Sequence, residues 1–191
     1  DRLKIKKLKQ YRDIKISPLA YVIKACSFVL KDFEKINSSL SEDGNSIILK
    51  SYINIGFAAD TENGLIVPVI KDVDKKSLIE IAEELLSLSL KARAGKLSSD
   101  EMSGATFTIS SLGGIGGTAF TPIVNAPEVA ILGLSRSTTQ PVWNGSEFEP
   151  KLMLPLSFSY DHRVIDGAYA VRFTTALCDA LKKARNLSKK A

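Results

Sequence analysis

The feature that most constrains the fold is a change of period near the C-terminus. Leu152, Leu154, Leu156, Phe158 and Tyr160 alternate without a break, which predicts a strand with one apolar face. From Asp166 the spacing becomes helical through Val171, Thr174, Cys178 and Leu181. A strand must therefore give way to a helix within Asp161-His162-Arg163-Val164-Ile165. His162, the one histidine among 191 residues, stands in that turn. Continued alternation would put it on the apolar face just as the strand ends. Imidazole is the only side chain that ordinarily titrates near neutrality, so His162 is the first candidate for a proton acceptor at pH 7.

The rest of the chain repeats this mixture of periods. Ser17-Pro18 is an N-cap followed by a first-turn proline. Apolar residues from Leu19 to Phe33 then recur at three- and four-residue spacing, which predicts a helix over about 17–34. Asp43-Gly44 marks a turn before two predicted strands, Ile47–Leu49 and Tyr52–Ala59. After Glu62-Asn63-Gly64, Leu65–Ile70 reads as one buried strand. Ser77-Leu78-Ile79-Glu80 is a capping-box pattern opening a helix to about Arg93, with Gly95 as its stop. Further strands are predicted at Ala105–Ser110 and Val129–Leu134, and a hairpin turn at Asn144-Gly145. Lys182, Lys183 and Arg185 suit the C-terminal end of the last helix dipole. With no repeat and no dividing linker, one mixed α/β domain is the simplest organisation.

Composition excludes several classes. Twenty-six basic residues against 21 acidic give a formal charge of +5, a mild excess that would suit an anionic nucleotide-type ligand. The basic cluster Arg2, Lys4, Lys6, Lys7, Lys9 and Arg12 has only Tyr11 interleaved, which argues against a nucleic-acid surface. Cys26 and Cys178 fall on predicted apolar helix faces and read as small buried hydrophobes. One histidine and two distant cysteines make a metal site improbable. No apolar stretch approaches the roughly 20 residues that cross a bilayer, so no membrane partner is expected. The chain opens at Asp1 without an apolar signal core, and it reads as a fragment in a reducing, soluble compartment.

Three features carry chemistry. A strand end passing into a helix start places His162 where a cleft can form. Asp166, four residues on, can cap the helix that follows. Ser110 and Ser111 close a strand ahead of Gly113-Gly114-Ile115-Gly116-Gly117, where a hydroxyl could donate to a developing oxyanion. The glycine run lacks both the P-loop ending and the dinucleotide fingerprint. No Gly-x-Ser-x-Gly elbow surrounds any serine, so a nucleophilic serine is not indicated. The residues alone define a base, an oxyanion donor and a nearby carboxylate, and no substrate.

Taken in order, three blocks resemble the catalytic domain of the dihydrolipoyl acyltransferases, the core component of 2-oxo acid dehydrogenase complexes. Asp161-His162-Arg163-Val164-Ile165-Asp166-Gly167 is similar to the family's His-x-x-x-Asp-Gly loop. Phe107-Thr108-Ile109-Ser110 with the glycine turn, and Thr121-Pro122-Ile123-Val124-Asn125-Ala126-Pro127-Glu128-Val129-Ala130-Ile131-Leu132-Gly133, resemble a second block. Asn54-Ile55-Gly56, Asp60-Thr61 and Gly64-Leu65-Ile66-Val67-Pro68-Val69 resemble a third.

The resemblance implies the coenzyme A-dependent acyltransferase fold, chloramphenicol acetyltransferase-like, with a mixed β-sheet flanked by helices. It implies His162 as the base acting on the coenzyme A thiol and Ser110 as oxyanion donor. Asp166, with Asp60, would fix the loop through polar contacts. Coenzyme A would be a substrate, bound by residues the sequence does not identify, and the lipoyl group would arrive on a domain not present in this chain. A homotrimer is implied, one subunit's histidine facing its neighbour's serine, built into a larger multi-trimer core. Dehydrogenase and dihydrolipoyl dehydrogenase components would attach through domains that are also absent. Ser110-Ser111-Leu112-Gly113 and Gln140-Pro141-Val142-Trp143 look more like the pyruvate (acetyl) branch than the succinyl branch. The expected unit is thus an acyltransferase catalytic domain over 1–191 lacking its N-terminal elements, cytoplasmic in bacteria or in the mitochondrial matrix of a eukaryote. Two alternatives stand beside it: a chloramphenicol acetyltransferase-like enzyme, which usually shows a second histidine where this chain has Asp161, and a non-catalytic core scaffold.

Overall fold

The structure is a computed structural model that describes residues 16–62 and 64–183. The N-terminal basic cluster and Arg185 lie outside the described residues. Helix α1 (Pro18–Val29) starts where Ser17 Oγ accepts a hydrogen bond from Ala20 N, and a short 3-10 turn, Leu30–Asp32, follows it. Helix α2 (Leu78–Arg93) carries the full capping box between Ser77 and Glu80. Helix α3 (Gly167–Lys182) is capped by Asp166.

Five strands make the central sheet: β3 (Ile55–Phe57), β6 (Val69–Ile70), β7 (Phe107–Ser111), β8 (Ala130–Leu134) and β11 (Leu156–Tyr160), in the order β11-β8-β7-β3-β6. The inner three run parallel, and the two edge strands run antiparallel to their neighbours. The sheet is therefore mixed, as expected. Three hairpins project from it: β1 (Ser38–Leu40) with β2 (Ile47–Leu49), β4 (Ala59–Thr61) with β5 (Gly64–Ile66), and β9 (Thr138–Trp143) with β10 (Phe148–Met153).

Phe107, Ile109, Ile55 and Leu132 of the sheet are fully buried against Ile23 and Cys26 of α1 and Phe173 and Leu177 of α3. Phe173 lies 6.0 Å from the Phe107 ring and 5.0 Å from that of Phe158. Odd positions of β7 thus face the helices. By strand alternation, Thr108 and Ser110 face the other way.

Several expectations need correction. The alternating run Leu152–Tyr160 is not one strand. Pro155 divides it, and its first part is an arm of the β9–β10 hairpin, with Leu152 74% exposed. Leu65–Ile70 is likewise two short strands parted by Pro68, and Leu65 is exposed. The strand predicted at Tyr52–Ala59 contracts to β3, with Ala59 opening β4, and Ser38–Leu40 pairs with β2 where no strand was expected. The buried stripe of α3 is Ala170, Phe173 and Leu177, one residue from the Val171–Thr174–Cys178 stripe read from the sequence. Each helical position turns the direction by about 100°, so Cys178 is exposed where burial was expected.

Candidate active site

The turn that carries His162 is braced from both sides. Asp161 N donates to Val129 O at 2.8 Å, tying the end of β11 to the approach to β8. Asp161 O accepts from the amides of Val164 and Ile165, both at 3.0 Å. The Asp161 carboxylate accepts from Arg163 N at 3.0 Å and from its guanidinium, Nη2 at 2.6 Å. Those bonds from Arg163 hold the Asp161 carboxyl below its usual range. The two neighbours of His162 are thus clasped to each other, while Val164 and Ile165 are buried beneath. His162 itself is exposed, its ring 5.7 Å from that of Tyr160.

Asp166 begins α3 and accepts from Tyr169 N at 2.8 Å, the cap expected of it. That bond lowers its carboxyl pKa, so Asp166 is charged at neutral pH at the positive end of the helix. Asp60 lies exposed on β4, and among the described residues no hydrogen bond joins it to Asp166.

Ser110 is the next-to-last residue of β7, half-buried, level with Gly133 of β8 and through it with Ser157 of β11. A Cβ on Gly133 would lie 2.8 Å from the Phe120 ring, so only glycine lets that loop pack beside Ser110. A cavity opens at this end, lined by Ser111, Gly113, Gly114, Ser135 and Arg136. In the glycine-rich turn the amides of Ile115 and Gly116 both donate to Leu112 O, so neither is free to cradle a phosphate.

One chain does not bring His162 to Ser110. From the Ser157 level to Tyr160 is three residues, about 10 Å along the strand, and β7 and β11 are two strand spacings, about 10 Å, apart. Tyr160 is therefore on the order of 14 Å from Ser110, and His162 lies beyond it. His162 and Ser110 sit at opposite ends of the sheet.

Between them lies Glu128, which falls within the block 121–133. Glu128 is 6% exposed; its Oε1 accepts from Thr108 Oγ1 at 2.9 Å and from Asn125 Nδ2 at 3.3 Å, and its buried Oε2 has no hydrogen-bond partner among the described residues. Burial pushes its pKa up to about 7. The available signal was an acid inside the apolar run from Val124 to Leu134.

The architecture is that of the coenzyme A-dependent acyltransferases: chloramphenicol acetyltransferase superposes with a TM-score of 0.57 at 16% identity, covering 86% of this chain and 78% of that one, a likeness of fold. The profile of the 2-oxoacid dehydrogenases acyltransferase (catalytic domain) family matches residues 2–188, and the chain belongs to that family. The acetyltransferase component of the pyruvate dehydrogenase complex from Pseudomonas aeruginosa is 59% identical over 174 residues, 91% of this chain and 32% of that protein. Its Azotobacter vinelandii counterpart is 59% identical over 172 residues, 90% of this chain and 27% of that protein. The chain thus spans about a third of the length of these relatives. The A. vinelandii dihydrolipoamide acetyltransferase structure superposes with a TM-score of 0.93 at 55% identity, covering 97% of this chain and 76% of that one. It comes from a crystallographic and enzymatic investigation of a serine, a histidine and an asparagine in the catalytic mechanism. An equally similar structure is the cubic core of the pyruvate dehydrogenase multienzyme complex.

Proposed function

We propose that this domain transfers an acyl group, acetyl in the first place, between S-acyl-dihydrolipoamide and coenzyme A, as the core component of a pyruvate dehydrogenase complex. The observation that carries the reading is the trio Ser110, His162 and Asp166. They are separated by 52 and 4 residues, the separations of the serine, histidine and asparagine investigated in the A. vinelandii enzyme. Aspartate stands here for asparagine. Both cap helices well, and Asp166 caps α3, so the exchange leaves that role intact.

Most of a thiol is protonated at pH 7, so the coenzyme A sulfur needs a base to attack. His162 takes the thiol proton, and the thiolate adds to the thioester carbonyl of acyl-dihydrolipoamide. Ser110 Oγ donates to the resulting oxyanion. Collapse expels the dihydrolipoamide sulfur, which receives the proton from His162, and acyl-coenzyme A leaves without an acyl-enzyme. Because one chain keeps Ser110 and His162 at opposite sheet ends, each site takes its histidine from one subunit and its serine from another. This is the shared site of a homotrimer, itself part of a larger multi-trimer core. Lipoyl domains would bring the acyl group, and the dehydrogenase and dihydrolipoyl dehydrogenase components would attach outside the 191 residues. A cytoplasmic location, as suits bacterial relatives, belongs to the same reading.

The deciding assay is acetyl transfer from acetyl-coenzyme A to dihydrolipoamide. His162→Ala should lose on the order of 10²–10⁴-fold in turnover with folding intact, because no second imidazole is available. Near-normal turnover in that variant would overturn the reading.

A further inference from the structure

We propose that Glu128 is a positioning residue that couples the two half-sites of one chain, joining the strand of Ser110 to the turn of His162. The inference rests on the reading of those two residues given above.

The connection is continuous. On one side Glu128 Oε1 takes the hydroxyl of Thr108, which is two residues before Ser110 on the same face of β7. On the other side the next residue, Val129, offers its carbonyl to Asp161 N, the first residue of the turn. The sheet is tightly closed around this rung: a Cβ on Gly56 would lie 2.9 Å from Thr108 Oγ1. Thr108 is itself buried, and its hydroxyl is bonded to Glu128. If each active site is shared between subunits, the two half-sites of one chain belong to two different sites. Glu128 then links neighbouring sites through a single side chain.

Its environment also makes the link responsive to pH. Both donors address Oε1, and among the described residues none hydrogen-bonds the buried Oε2. The groups facing it are the neutral Thr108 of β7 and Asn125 of its own loop. A second cavity, which Glu128 itself lines, is lined also by Glu42 of the β1–β2 turn and by Asp161 and Arg163, which are bound to each other. No described cation neutralises Glu128. A buried carboxyl in this position favours its protonated form, so deprotonation near pH 7 favours any opening that lets water reach it. The rung is firmest below about pH 4.5, loosens as pH rises from there to about 7, and changes no further above it.

The test uses Glu128→Gln, which stays neutral at every pH, and Glu128→Ala. The first readout needs no activity: amide exchange at 107–111 and at 161–166, followed against pH. In the wild type both segments should lose protection together as pH rises from about 4.5 to 7, beyond the intrinsic rise, and the extra loss should level off above 7. In Glu128→Gln that extra loss should vanish, and in Glu128→Ala both segments should be loose at every pH. The second readout is transfer. Between about pH 5 and 7 the kcat of Glu128→Gln should gain on that of the wild type, and the ratio should be constant above 7. Glu128→Ala should lose about ten- to a hundredfold in kcat with KM for coenzyme A nearly unchanged. Loosening confined to 124–129, or Glu128→Gln profiles that superimpose on the wild type, would overturn the proposal. Should Glu128→Ala not fold, the wild type and Glu128→Gln decide it. A domain with no transfer activity would refute the acyltransferase reading, while the exchange result would still decide the coupling.

Discussion

A hydroxyl that meets charge only in the transition state leaves a particular kinetic signature. Ser110 is half-buried on β7 and its proposed partner, the oxyanion, exists only after attack. Ser110→Ala should therefore lower kcat by roughly 10²–10³-fold with KM for both substrates nearly constant. Equal losses in kcat and in binding would mark a structural serine instead. Glu128 gives a second prediction at this scale, in stability. Its pKa rises from 4.5 in the unfolded chain to about 7 in the fold, so the folded state keeps a proton that the unfolded chain has lost. Its contribution to stability is thus fullest below pH 4.5 and declines until pH passes 7. Urea titrations should show the wild type losing up to about 3 kcal/mol relative to Glu128→Gln between pH 4.5 and 8. A constant difference across that range would mean that Glu128 is solvated.

At the scale of elements, the sheet depends on residues too small to be noticed as hydrophobic. Gly56 of β3 pairs with Thr108, and an added Cβ would meet Val67 Cγ1 at 2.8 Å and Ala105 Cβ at 3.3 Å. Gly56→Ala should cost about 1–3 kcal/mol, read as a lower urea midpoint with an unchanged slope. An unaltered midpoint would mean that β3 and β7 separate easily. What was legible in the sequence follows from range. The caps at Ser17, Ser77 and Asp166 are bonds within three residues, and each is found where the sequence put it. Strand pairing is settled at long range, so the alternation through Leu152 and Leu156 could not distinguish a hairpin arm from a sheet strand. The α3 stripe failed for a related reason: Val171 and Cys178 are apolar enough to pass as core, and only packing against Phe107 and Phe158 selects Phe173. Of the candidate site residues, the local placement was legible, Ser110 at a strand end, His162 in the turn and Asp166 as a cap, because strand ends and caps have local signals. The distance between the first two was not, because it depends on strand order. Glu128 owes its character to burial, and the sequence hints at that only through the apolar run around it.

At the scale of the molecule, one chain leaves work undone. The β9–β10 hairpin exposes Trp143, Phe148 and Leu152 at 56%, 68% and 74%, the β1–β2 hairpin exposes Ile47, Ile48 and Leu49, and Ile123 is 88% exposed. Apolar surface on this scale marks places where further protein packs. It agrees with the sheet register, which keeps His162 and Ser110 too far apart to act within one subunit. Co-expression of His162→Ala with Ser110→Ala chains tests the shared site directly. Each variant alone has no complete site. In a mixed ring, a site is intact only where an intact histidine meets an intact serine across one interface. For equal, random mixing that is about one interface in four, so about a quarter of wild-type activity should return. Light scattering must find the same assembly in all three samples. A mixture no better than either variant, or a fully active monomer, would place both residues in one subunit's site and contradict the register of β7, β8 and β11.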